Sequence, residues 1–297
     1  MLGQFLKHLV VHTPFEGLAQ RVQHALSLPR RARHPELSSI HEEPRFIESA
    51  CRMLLRPESN AVDIGAHLGS QLGRFVDLAR FGRHLAFEPV PYKARWLRRK
   101  FPNVDVRELA LHEAEGRQTF FVNESRPGYS GLRRHEAGND VLREITVDQH
   151  RLDEVVDPSL DIDLIKIDVE GAELFVLRGA TRLLDRCRPT LLFESTKTGL
   201  ATWQLTPDAM YTFLRDQGYR IYLPRAFVCG GTPLDQDEFA VAHEYPFRAF
   251  NFIGVAKDRP LGRQRKTSRR GEAAQQPVMN VAESSVRHHH DYVAGIR

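Results

Sequence analysis

Asn60-Ala61-Val62-Asp63-Ile64-Gly65-Ala66-His67-Leu68-Gly69 reads as a short buried strand running into a tight turn. Ala61, Val62 and Ile64 supply the apolar strand, and Gly65 and Gly69 frame the turn. From Gln71 to Phe81 the apolar residues Leu72, Phe75, Val76, Leu78 and Ala79 recur at helical spacing. Strand, turn and helix make the first half of a βαβ unit, whose ligand sits outside the carboxyl end of the strand. There the missing Cβ atoms let polar groups reach the backbone. Arg83 to Pro89 follows as a second short strand ending in Glu88, where a carboxylate can accept both hydroxyls of a ribose.

The turn discriminates between nucleosides. A dinucleotide fingerprint reads Gly-x-Gly-x-x-Gly, so that backbone can press against a pyrophosphate. Gly65 to Gly69 has only two glycines, and Asp63 stands just before them. An acid there suits a cationic, phosphate-free ligand. S-adenosylmethionine carries an ammonium, a sulfonium and a ribose, and matches Asp63 and Glu88 together. The competing reading is an αβ turn with no ligand.

A second informative stretch runs from Asp161 to Glu173. Leu164, Ile165 and Ile167 form a buried strand that delivers Asp168 and Glu170 to the same rim as Asp63. Gly171 permits a tight turn, and Leu174, Val176, Leu177, Ala180, Leu183 and Leu184 supply the apolar face of the next helix. Thr190 to Phe193 is another buried strand, ending in Glu194. Asp63, Glu88, Asp168 and Glu194 thus recur at four strand ends, a pattern that suggests a site. Lys166 allows a structural ion pair beside Asp168.

Elsewhere, Met1 to about Leu28 reads as one or two amphipathic helices, suited to covering the domain, a partner subunit or a membrane surface. Pro29 to Pro44 reads as a connector and Arg45 to Leu55 as a helix. Tyr92 to Phe101 is expected as a helix, Val104 to Leu111 as a third strand, and Thr119–Val122 and Glu144–Val147 as two more. The polar stretch between Asn123 and Gly138 is long for a hairpin turn and fits a loop over a substrate. Pro207 to Gln217 is predicted as a helix capped by Thr206. Gly218–Leu223 and Ala249–Val255 are predicted as an antiparallel pair closing one edge of the sheet.

Composition narrows the class. The chain has 297 residues, 41% hydrophobic, with no apolar run near the roughly 20 residues of a membrane span. No secretory signal is read at Met1 to Val11, and the compartment expected is the cytoplasm. Cys51, Cys187 and Cys229 lack paired metal spacing and read as buried, reduced thiols. From Lys257 onward nine Lys or Arg face four acids, so the formal net charge of +4 lies in that tail and Met1 to Ala256 is close to neutral at −1. A near-neutral domain argues against an electrostatic nucleic-acid cleft. Arg95, Arg98, Arg99 and Lys100 read as a solvated helix face. The tail is expected to be disordered, and His288-His289-His290 is too short to define a metal site. The organisation expected is residues 1–45 as a helical extension and connector, 46–256 as the catalytic domain and 257–297 as a basic tail.

Taken together, these residues resemble the FkbM-type family of S-adenosylmethionine-dependent methyltransferases, from about Asn60 to Ala256. Val62 to Gly69, Phe87-Glu88-Pro89, Ala110-Leu111, Ser130-Gly131-Leu132, Ile165 to Glu173 and Asn251-Phe252 carry the resemblance. The Lys166 to Glu173 segment is the most specific. The resemblance implies an α/β fold with a seven-stranded Rossmann-like sheet flanked by helices, and O-methylation of sugars or natural-product hydroxyls. One departure is His67, where the family usually has Asn.

By that resemblance, Asp63, Gly65, Ala66, His67, Gly69 and Ala110 surround the cofactor and Glu88 holds its ribose hydroxyls. Asp168 is the candidate base or acceptor-positioning group, with Glu170 and Glu194 supporting, and His67 is an alternative base. In a variant of this mechanism Asp168 and Glu194 hold a divalent cation that acidifies the acceptor hydroxyl. Glu170 and Glu173 read equally well as helix-start acids. The expected partner is a hydroxylated small molecule or glycan, not nucleic acid. Two rivals keep the same fold: a catalytically inactive interaction protein, and a nucleotide-dependent oxidoreductase, which the two-glycine turn disfavours.

Overall fold

The computed structural model of the protein describes residues 33–134 and 140–258. The helices expected between Met1 and Leu28, and the tail beyond Asp258 with His288 to His290, lie outside the described residues. The described residues form ten strands: β1 (Ala61–Ile64), β2 (Leu85–Phe87), β3 (Asp105–Arg107), β4 (Ala110–Leu111), β5 (Gly116–Asn123), β6 (Leu142–His150), β7 (Leu164–Ile167), β8 (Thr190–Glu194), β9 (Tyr219–Tyr222) and β10 (Asn251–Ala256). Helices α1 (Ser38–Leu54), α2 (Ser70–Leu78), α3 (Pro91–Lys100), α4 (Leu152–Val155) and α5 (Glu173–Arg178) are joined by α6 (Thr181–Cys187), α7 (Lys197–Thr202), α8 (Pro207–Asp216), α9 (Pro224–Cys229) and α10 (Gln236–Ala242).

Seven strands form one sheet in the order β3-β2-β1-β7-β8-β10-β9, parallel except for β10, which runs antiparallel to both β8 and β9. The chain builds outward from β1 to β3, then returns to lay β7 against the other side of β1. That reversal opens a crevice at the carboxyl ends of β1 and β7, the place where open α/β sheets bind ligands.

Period-two alternation divides the sheet's side chains between two cores. Val62, Ile64, Ile165 and Ile167 pack with Leu174, Leu177, Leu214 and Phe239 on one face. Ala61 and Leu164 pack with Ile47, Cys51 and Phe75 on the other. Asp63 and Lys166 share the second face and are direct register partners in the β1–β7 ladder.

Several expected elements are redrawn. The third strand splits at Glu108-Leu109: β3 stays in the main sheet, while β4 pairs with β6 in a separate three-stranded sheet completed by the β5–β6 hairpin. The helix expected after Gly171 breaks into α5 and α6 around Gly179, where a Cβ would lie 2.3 Å from the carbonyl oxygen of His112. The first helix starts at Ser38, seven residues before the expected Arg45, and carries Pro44 inside it. Buried Glu43 holds that early turn in place, accepting from the backbone N–H groups of Phe250 (2.7 Å) and Asn251 (3.0 Å) and from Asn251 Nδ2 (2.7 Å). This tertiary anchor offsets the helix hydrogen bond that proline removes. Cys229 is exposed, unlike buried Cys51 and Cys187, because it closes the short α9 before Gly230.

Candidate active site

The β1 turn forms the floor of a cavity of about 460 Å³ lined by Asp63, Gly65, Ala66, His67, Glu88, Ala110, Asp168, Glu170 and Glu194. The four strand-end acids therefore converge. Gly69, expected at the cofactor, does not line it: a Cβ there would meet Phe101 at 2.5 Å and Leu97 at 2.9 Å, so that glycine serves packing against α3. Gly65 works at the cavity itself. Its φ is +73° and a Cβ would lie 1.9 Å from the Asp168 carbonyl oxygen, a cradle only glycine can form.

His67 adopts φ +52°. Asn, Asp and His are the non-glycine residues best tolerated in that left-handed region, so His stands here under the same backbone constraint as Asn. Its backbone N–H donates to Glu88 Oε2 at 2.8 Å, and Val90 N–H donates to Glu88 Oε1 at 2.9 Å. Each Glu88 oxygen keeps further acceptor capacity. Burial pushes this carboxyl upward, opposed by the nearby Lys93 ammonium and by the two backbone bonds.

Lys166 organises the floor. Its Nζ lies 3.3 Å from Asp63 Oδ1 and 3.3 Å from Asp168 Oδ2, and donates to the Gly65 carbonyl at 3.1 Å. Asp168 follows the last residue of β7, two positions after Lys166 and on the same side, so the lysine forms the structural ion pair that the sequence allows. Burial pushes the carboxyl of fully buried Asp63 upward, opposed by the Lys166 ammonium beside it and by the Leu72 backbone N–H.

Opposite, Asp168, Glu170 and Glu194 each bring one carboxylate oxygen within 4.8 Å of the others. Burial, then the neighbouring Asp168 and Glu173, push the Glu170 carboxyl up to about 8. Burial also raises Glu194, reinforced by Asp168 and Glu170. Glu170 reaches this cluster from a φ of +58°, a conformation that costs an acidic side chain about 1–3 kcal/mol.

Glu173 is different. It is fully buried, and its Oε1 accepts from Val169 N–H (2.9 Å) and Gly171 N–H (3.2 Å), so it staples the turn rather than lining the cavity. Burial lifts its carboxyl from about 4.5 to about 7. The unfolded chain releases this proton first, so the folded state loses stability as pH rises from about 4.5 to 7. Glu173→Gln retains an acceptor for both N–H groups without the charge. The variant should match the parent near pH 4 and exceed it by about 1–3 kcal/mol at pH 8. Urea unfolding at the two pH values checks this, and a parent more stable at pH 8 would refute it.

Sequence reasoning missed Lys93, which is 2% exposed and lines the cavity beside Glu88 and Glu170. Its signal was the α3 stripe Lys93-Leu97-Phe101, which puts a lysine on the buried face. With Lys166 it sets two lysines beside the five lining carboxylates.

Residues 63–221 match the methyltransferase FkbM domain, and the chain belongs to that family. It is 27% identical over 220 residues to the AMB antimetabolite synthetase AmbE of Pseudomonas aeruginosa, a match that covers 61% of this chain and 10% of AmbE. The chain thus spans about a tenth of that relative's length. Among solved structures, the methyltransferase FkbM of Methylobacillus flagellatus KT aligns with a TM-score of 0.43 at 17% identity, covering 68% of this chain and 44% of its own. The Streptococcus mutans protein SMU.1697c, solved in complex with SAH, aligns at 0.40 with 13% identity, covering 71% and 95%. Among the described residues no helix is long and apolar enough to cross a membrane.

Proposed function

We propose that this protein is a cytoplasmic S-adenosylmethionine-dependent O-methyltransferase acting on a hydroxyl of a sugar, glycan or natural product. The observation that carries the reading is the acidic cavity over the Gly65 cradle, with fully buried Asp63 and Glu88 on its floor. Those residues fit the cofactor: Asp63 retains lone pairs for an ammonium and Glu88 for ribose hydroxyls, and Gly65 lets the β1 turn pack against the Asp168 carbonyl so that both acids share one rim. Bound there, S-adenosylmethionine supplies an electrophilic methyl group on a positively charged sulfonium. Asp63 and the turn hold the methionine part, and Ala66 and Ala110 add apolar contact. Asp168, with its side chain 38% exposed, orients the acceptor hydroxyl and takes its proton as the oxygen attacks. Glu170 and Glu194 support it.

The three-carboxylate cluster also favours a second form of the same reaction. Asp168 and Glu194, with Glu170, offer the all-oxygen set that hard divalent cations prefer, and a cation there would acidify the acceptor hydroxyl. A nucleotide-dependent oxidoreductase is the weaker alternative, tested by absorbance changes with NAD.

Calorimetry with S-adenosylmethionine or its demethylated product tests the assignment. A micromolar dissociation constant, on the order of 8 kcal/mol, is expected. Glu88→Gln removes the charge but keeps the size, and should weaken binding by about 1–3 kcal/mol. The thermal midpoint, followed alongside, separates lost binding from lost folding. No heat of binding to the intact protein would end the proposal.

A further inference from the structure

A second cavity, of about 600 Å³, adjoins the first, and Leu132 lines both. Its lining includes His112, Arg133, Arg134, Gln149 and Trp203, and no carboxylate side chain among the described residues. The charge balance therefore inverts across Leu132, from an acidic chamber to a basic one.

The aromatic wall is fixed by its own packing. His112 stacks on Phe175 with ring centroids 4.6 Å apart and planes 13° from parallel. Phe175 in turn meets Trp203 at 4.9 Å, and Trp203 lies 5.7 Å from His112. Onto this wall Arg133 lays its guanidinium, with Cζ 4.8 Å from the Trp203 ring centroid. Cation–π contact engages the guanidinium plane and leaves the N–H groups on its edge available. Neither Arg133 nor Arg134 has a hydrogen bond or an ion pair with a described residue. Other arginines around the domain, such as Arg107, Arg143 and Arg182, do meet carboxylates. An arginine oriented by an aromatic ring, with unused donors and no acid beside it among the described residues, has the form of an anion receptor.

We propose that this second cavity binds a phosphate or carboxylate group carried by the methyl acceptor, through Arg133 and Arg134. The acceptor then spans Leu132, with its anionic end in the basic chamber and its hydroxyl among the carboxylates of the first. The assignment rests on the methyl-transfer reading of the first cavity and adds a substrate class to it: anionic acceptors. It also orients the acceptor, because its anionic end is drawn to the arginines and away from Asp168.

The test is calorimetry on the full chain saturated with S-adenosylhomocysteine, titrated separately with inorganic pyrophosphate and with glucuronate. At least one probe should bind with a dissociation constant at or below about 1 mM. Pyrophosphate alone assigns the site to a phosphate, glucuronate alone to a carboxylate, and both to either. Arg133→Ala and Arg134→Ala should each weaken that binding by about tenfold or more, with Arg133→Lys losing less because it keeps the charge but not the fork. Arg117→Ala, an exposed arginine on β5 paired with Asp148, is the control and should change it less than about twofold. Affinity for S-adenosylhomocysteine should be the same in all four variants, since none of these arginines lines the first cavity. Failure of both probes to bind, or an undiminished affinity in Arg133→Ala, overturns the anion site while leaving the cofactor reading intact. Loss of S-adenosylhomocysteine binding by the parent chain would instead overturn the cofactor reading.

Discussion

Lys166→Met is expected to destabilise the folded domain by about 3–5 kcal/mol, the usual consequence of removing one partner from a buried charge network. Lys166 is 7% exposed and Asp63 is 1% exposed, so water cannot take over the lost interaction. Burial alone would push the Lys166 ammonium down, but the carboxylates of Asp168 and Asp63 more than reverse this, and the lysine is held charged. Methionine fills similar volume, so the effect reads the charge rather than a void. It would leave Asp63 buried beside no cation and the Gly65 carbonyl without its donor. The check is the urea midpoint of the single variant against that of Asp63→Asn/Lys166→Met. The double variant should recover part of the loss, because it removes both buried charges together. A single-variant loss below about 1 kcal/mol would mean that the pair contributes little net stability.

Asp168→Asn should lower turnover by about 10²–10⁴-fold while leaving cofactor affinity near the parent's, the usual share of a general base. Asn keeps the size of the side chain, and Lys166 retains Asp63 and the Gly65 carbonyl as partners, so the fold should survive. The measurement is single-turnover methyl transfer from labelled S-adenosylmethionine to an accepted hydroxyl compound, at saturating acceptor. If parent activity falls with a chelator and returns with magnesium or manganese, Asp168 acts as a metal ligand with Glu194 and Glu170. Near-normal turnover without metal dependence would remove Asp168 from the mechanism and direct attention to His67 or Glu194.

The acids at the strand ends were legible because a strand's carboxyl end is a local feature. A short apolar run with an acid at its carboxyl end marks it without any knowledge of neighbours. Asp63, Glu88, Asp168 and Glu194 could each be found that way, and they meet in one cavity. Gly65 and Gly69 looked equivalent for the same reason. Sequence spacing reports that a turn needs glycine, but not what the missing Cβ faces: the Asp168 carbonyl at Gly65, and Leu97 and Phe101 at Gly69.

By itself, the sequence determined the α/β class, the glycine turn, the acids at four strand ends and the closing antiparallel pair, since all follow from residue type and short-range period. Only the tertiary structure decided what lies across a strand or beyond a helix. The ion pair of Asp63 with Lys166 requires β1 and β7 to be neighbours in register, although 103 positions separate the two residues in the chain. Glu43 could extend α1 past Pro44 only because the start of β10 and the residue before it present the Asn251 and Phe250 N–H groups to it. The basic chamber likewise joins His112, Arg133 and Trp203, which no local pattern connects. Each of these is a long-range contact between side chains whose own sequence neighbourhoods are unremarkable, so the fold had to bring them together before their chemistry could be read.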